Sequence, residues 1–121
     1  MIKFIQCIRK KPGLSHVEFR RNWAEYRERA SAVADAVGAS RFSISTALTV
    51  AHNVQVQLER GTVAAFDGVA EFCFERASGL EAAFERPEVI GLVKAMRDLQ
   101  DQFADLERSV FFFVSEEVVS G

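Results

Sequence analysis

Proline, cysteine, histidine, tryptophan and tyrosine are all scarce in this chain. It holds two prolines, two cysteines, two histidines, one tryptophan and one tyrosine among 121 residues. So little proline, with no low-complexity tract or repeat, excludes a Pro-rich linker or solenoid architecture. Cys7 and Cys73 sit far apart in separate apolar runs, which predicts buried structural thiols and no disulfide scaffold. His16 and His52 stand alone, without a cysteine or carboxylate cluster, so zinc ligation is not expected. His52 stays open as a haem ligand, which a Soret band would reveal. No excess of positive charge is present: net charge is -2, and no basic stripe forms, so nucleic-acid binding is not expected. No apolar run approaches the ~18 residues of a membrane span. A glycine-rich phosphate loop and a nucleophile elbow are both missing, which argues against a nucleotide site and a serine hydrolase. The start, Met1-Ile2-Lys3-Phe4-Ile5, carries no charged leader or cleavage site. With two reduced thiols, this predicts a cytoplasmic protein.

What remains is a chain 49% hydrophobic and 26% charged, the composition and size of one globular domain over 1–121. Residues 1–9 are rich in Ile and Phe and too short for a helix, so they read as a strand. Lys11-Pro12-Gly13 ends it. Ser15 through Glu18 has the form of a capping box. Phe19, Trp23, Tyr26, Ala30, Val33 and Val37 then recur at spacings of four and three, the apolar face of a helix that Gly38 stops. Residues 41–48 alternate as a second strand. In the connection 49–65, Val54, Val56 and Leu58 alternate with polar residues and suggest a short extra strand. Residues 66–75 form a third strand. Ser78 is placed to cap a short helix, and Pro87 to start a longer one with an apolar stripe from Val89 to Leu106. Residues 109–118 form the last strand. The order β-α-β-β-α-β is that of the ferredoxin-like α+β sandwich, with both helices on one sheet face.

Strand parity assigns Ile2, Phe4, Ile8, Phe42, Ile44, Ala70, Phe72 and Phe74 to the helix-covered face. The other face mixes Ile5, Cys7, Val69 and Cys73 with Lys3, Arg9, Arg41, Ser43, Ser45 and Glu71. That face is too apolar for solvent and too charged for a dry core. The pattern predicts a homodimer whose facing sheets enclose a half-polar pocket.

Two segments resemble a known family. Lys11-Pro12-Gly13-Leu14-Ser15, followed by Glu18-Phe19-Arg20 and Trp23, is similar to the start of EthD-like proteins. Phe66-Asp67-Gly68-Val69-Ala70-Glu71 and Phe74 resemble their third strand. Phe103-Ala104-Asp105 and Glu116-Glu117-Val118 fit more loosely, so the likeness covers nearly the whole chain. It implies a dimeric α+β barrel with a pocket between sheet and helices, and kinship with cofactor-free monooxygenases, isomerases and cyclases. The family often carries a histidine on the first helix shortly after the tryptophan. Here that position is Arg27, which stays protonated and is no general base.

These readings yield a candidate site. Glu71, placed on the pocket face, is the candidate proton-handling group; the plainer reading is an ion pair with Arg9 or Arg41. Arg27 and Tyr26 would orient oxygen atoms, against the plainer readings of a solvated arginine and a core tyrosine. Trp23, Arg41, Ser43, Ser45 and Cys73 would line the pocket. The ligand is expected to be a small, mostly apolar, oxygen-bearing molecule such as a cyclic ketone, phenol or lactone, handled without metal or cofactor. A non-catalytic binding dimer is the alternative.

Overall fold

The computed structural model describes all 121 residues. The strands are β1 (Ile2–Ile8), β2 (Arg41–Thr46), β3 (Gly68–Phe74) and β4 (Val110–Ser115). The helices are α1 (His16–Ala36), α2 (Ala51–Arg60), α3 (Leu80–Glu85) and α4 (Pro87–Phe103). The sheet runs β2-β3-β1-β4 with every neighbouring pair antiparallel. This is the ferredoxin-like arrangement that the order of elements predicts.

Local chemistry sets the first helix. Ser15 Oγ accepts from the Glu18 amide at 3.0 Å, and the Glu18 carboxylate accepts from the Ser15 amide at 3.2 Å. Those two bonds satisfy donors that the helix start would otherwise leave open. They also hold the Glu18 carboxyl below its ordinary range. Ser15→Ala is expected to cost about 1 kcal/mol in urea unfolding. The Glu18 share of this cap is lost as pH falls through its lowered value. An unchanged unfolding midpoint in Ser15→Ala would contradict this account of the helix start.

The core lies between the sheet and two helices. Phe19, Trp23, Tyr26, Ala30 and Val33 from α1 meet Val89, Met96, Leu99 and Phe103 from α4 over Ile8, Ala70, Phe72 and Phe74. Trp23 is stacked between Phe19 and Tyr26, with ring centroids 5.4 and 5.3 Å away. Phe103 meets all three rings edge-on.

The loops explain one of the sequence segments. Asp67 Oδ2 accepts from the Lys10 amide at 2.8 Å and so ties the end of β1 to the start of β3. Gly68 is buried directly under the Trp23 indole. Arg9 donates to the carbonyls of Ala64 and Ala65 and lies over the Phe66 ring.

Two local expectations are corrected. Residues 51–60 are helical, where the alternation of Val54, Val56 and Leu58 suggests a strand. Ala51, Val54 and Leu58 also recur at helical spacing, and Ala, Gln, Leu, Glu and Arg favour helix. Gly61, at φ 68, closes that helix in the left-handed conformation. Second, Gly79 rather than Ser78 is the N-cap of α3. No helix is long and apolar enough to cross a membrane.

Candidate functional site

A cavity of about 500 Å³ lies between the sheet and the helix layer. Phe4, Phe72 and Phe74 form its sheet wall, and Val33, Val93 and Met96 its helix wall. Phe111 and Phe113 pair with Gln6 and Phe4 and so share the helix-side face of β4. They are nevertheless 39% and 60% exposed, so the helix layer stops short of this edge strand. Together with Phe84 and Leu106 they form the open side of the cavity. Apolar walls around a few convergent polar groups are the usual make-up of a small-molecule site.

Those polar groups are Gln6, Gln100 and, behind them, Tyr26. All three are buried. The Tyr26 hydroxyl donates to Gln6 Oε1. Gln100 Nε2 donates to Tyr26 Oη at 3.0 Å and to Gln6 Oε1 at 3.2 Å. Burial pushes the Tyr26 phenol well above its ordinary 10, with the bond to Gln6 opposing in part. At neutral pH this tyrosine is therefore a hydrogen-bond donor and not a base. Arg97 and Asp101, exposed on α4, are the ionisable side chains among the lining residues.

Sequence reasoning missed both glutamines, although each left a signal. Gln6 is a polar residue on the Ile2-Phe4-Ile8 face of β1. Gln100 falls four residues after Met96 on the apolar stripe of α4. A polar side chain on a core-facing stripe must find partners or open space, and that marks it for attention.

The residues proposed from sequence divide between two sides of the sheet. Tyr26 and Trp23 lie on the helix side, and Trp23 Nε1 donates to the Ser45 carbonyl at 3.3 Å. Arg27 points to solvent beside Glu28, 3.2 Å away. Glu71, Arg41, Ser43, Ser45 and Cys73 occupy the face away from the helices, in register with Lys3, Ile5 and Cys7. Glu71 lies 3.6 Å from Lys3 Nζ and accepts from Ser43 Oγ at 3.5 Å. Its ionic partner is Lys3 and not Arg9 or Arg41. Lys3 also pairs with Glu116. That bond is the main reason the Lys3 ammonium is raised and the Glu116 carboxyl lowered. Cys7 and Cys73 are both free thiols, and burial pushes the Cys7 thiol up. Within one chain, Glu71, Arg27 and Tyr26 do not converge, and the aromatic-walled cavity lies on the side opposite Glu71.

A second hollow of about 530 Å³ lies between the N-terminal end of α1 and α2. Most of its walls are exposed loop and α2 residues, and no buried polar side chain faces it. His52 sits on α2, exposed. No three His, Cys, Asp or Glu side chains gather as a metal site.

The family model of the EthD domain matches residues 11–107. The chain belongs to the EthD domain family. The match spans the Lys11-Pro12-Gly13 turn, the Trp23 helix and the Phe66-Asp67-Gly68 strand start, the segments that carry the resemblance in the sequence. The fold is similar to that of an EthD family protein from Bacillus halodurans C-125, with 13% identity and TM-score 0.62. That alignment covers 97% of this chain and 99% of that one. A dimeric protein of unknown function and ferredoxin-like fold from Bacteroides fragilis NCTC 9343 aligns with TM-score 0.64 at 8% identity, over 95% of each chain. A dimeric ferredoxin-like protein of unknown function from Thermobifida fusca YX aligns with TM-score 0.62 at 11% identity, over 95% of this chain and 90% of that one. At these identities the likeness shows the fold alone. A search of curated proteins found no match.

Proposed function

We propose that this EthD domain is a homodimeric small-molecule pocket protein. It holds a small, mostly apolar, oxygen-bearing molecule in the cavity between sheet and helices. The observation that carries this reading is the buried Gln6–Tyr26–Gln100 cluster at the wall of an otherwise aromatic cavity. A cavity filled only by packing would have no use for two buried amide side chains at its wall. Calorimetric titration with 2-naphthol tests the reading. Wild-type protein is expected to bind it. Val33→Phe, which pushes a ring into the cavity, is expected to weaken binding by about tenfold or more while the fold persists. Equal binding by both proteins would overturn the assignment.

Dimerisation is supported by the face away from the helices, where Val110 and Phe112 of β4 leave 43% and 41% of their surface exposed beside Ile5 and Cys7. Covering such a patch is a common reason for pairing. Two structurally similar proteins are described as dimeric. A two-fold pair through this face would also place Glu71, Lys3 and Ser43 at the interface. The expected result is a dimer at micromolar concentration in ultracentrifugation, and dissociation of that dimer in Phe112→Glu. A wild-type monomer would contradict it.

A catalytic version of the same reading is favoured by one feature. Asp101 is the carboxylate among the cavity's lining residues, and Arg97 lies one turn away on α4. In cofactor-free proton transfer, Asp101 would take a proton from carbon beside a carbonyl and return it elsewhere on the same molecule. Arg97 would offset the negative charge that develops on oxygen. Asp101→Asn would then keep affinity and lose turnover. If turnover survives in Asp101→Asn, the base lies elsewhere.

A further inference from the structure

The buried amide groups of the cavity specify more than a preference for oxygen. Gln6 Oε1 accepts two hydrogen bonds, and Gln100 Nε2 donates toward both Tyr26 Oη and Gln6 Oε1. That accounts for one end of each amide. Gln6 Nε2 and Gln100 Oε1 form no hydrogen bond within the chain. Yet no buried side-chain nitrogen or oxygen is left without a partner and sealed from open space. Both free ends therefore touch open space, and the cavity is the open space these two residues line. Gln6 is 2% and Gln100 5% exposed, so neither amide has free access to bulk solvent.

The cavity thus offers one neutral donor and one neutral acceptor from adjacent side chains. The Tyr26 network couples the two amides: rotating one alone would break bonds, and rotating both together still turns one donor and one acceptor to the cavity. Two features argue against an anionic ligand. No cation is buried at the cavity wall, and the cation among its lining residues, Arg97, is exposed on α4 and shares that rim with Asp101. A carboxylate would have to shed its hydration against neutral amides alone.

We infer that the cavity selects a neutral, flat ring bearing a carbonyl next to an N–H or O–H. Lactams and hydroxy-enones have this edge. The carbonyl would accept from Gln6 Nε2 and the N–H or O–H would donate to Gln100 Oε1, with the ring against Phe4, Phe72 and Phe111. The inference rests on the pocket assignment above and narrows its ligand class.

The test compares three ligands on the wild-type protein by calorimetry: 2-quinolone, N-methyl-2-quinolone and quinoline-2-carboxylate. The methyl group removes the donor and leaves Gln100 Oε1 unpaired. That is expected to weaken binding by about tenfold to a hundredfold relative to 2-quinolone. The carboxylate is expected to bind about tenfold or more weakly than 2-quinolone. In Gln100→Leu the difference between 2-quinolone and its N-methyl derivative should vanish. Should that variant not fold, the wild-type comparison still decides. If 2-quinolone and N-methyl-2-quinolone bind equally, the donor–acceptor edge is refuted while the pocket assignment stands. Tighter binding of the carboxylate refutes selection for a neutral ligand. If none of the three ligands and no 2-naphthol binds, the inference falls together with the pocket assignment.

Discussion

Gly68→Ala is expected to destabilise the fold by about 1–3 kcal/mol, a large effect for one added methyl group. A Cβ at this position would lie 2.6 Å from Trp23 Cζ2 and 2.7 Å from Trp23 Cε2. The backbone of Gly68 needs no left-handed conformation, so the cost is purely one of space. The indole cannot move aside cheaply. Phe19 and Tyr26 hold it on both faces, Phe103 meets it edge-on, and its Nε1 is bonded to the Ser45 carbonyl. The alternative is for β3 to shift, which would break its registers with β1 and β2. Urea unfolding of Gly68→Ala, Trp23→Leu and the double variant forms a cycle. The double variant should cost less than the sum of the singles, because removing the indole makes room for the methyl. Additive costs would show that the two residues do not meet.

The second large effect appears at alkaline pH. Tyr26 is the single tyrosine, so a near-ultraviolet absorbance titration reports it alone. Burial raises its pKa in the folded protein above the 10 expected of an open phenol. The neutral form is thus favoured by folding. That contribution is complete below pH 10, and it is lost progressively as pH rises from 10 toward the raised folded value. Each unit above 10 removes up to about 1.4 kcal/mol from the unfolding free energy. Phenolate absorbance should therefore rise together with unfolding, and Tyr26→Phe should flatten the alkaline limb of stability. A phenolate signal near pH 10 in a protein that is still folded would contradict this.

Much of the fold was legible in the sequence because the signals were local and mutually consistent. The capping box at Ser15 and Glu18, the apolar stripe from Phe19 to Val37 and the alternation in 41–48, of which 41–46 are strand, each correspond to an observed element. Residues 51–60 were misread because three apolar residues at alternate positions match a strand, whereas the helix follows from the preferences of the residues between them. The face of the sheet was also legible: parity separated Phe4, Phe72 and Phe74 from Lys3, Glu71 and Cys73. The site was harder to see. Charge on a half-apolar strand, as at Glu71 and Arg41, is conspicuous in a sequence. The cavity is instead marked by uncharged glutamines within apolar stripes. Its volume comes from the helix layer stopping short of β4, a packing outcome that no local spacing encodes.

The central claim is that a ligand occupies the helix-covered side of the sheet. Nitrogen-resolved NMR of the protein titrated with 2-naphthol decides this directly, because the side-chain amides of Gln6 and Gln100 are themselves observable. The largest shifts are expected at those two amides and at the backbone of Phe4, Phe72, Phe111 and Phe113. Shifts centred instead on Arg41, Ser43 and Glu71, with the two glutamine amides unmoved, would place the ligand on the opposite face and contradict it.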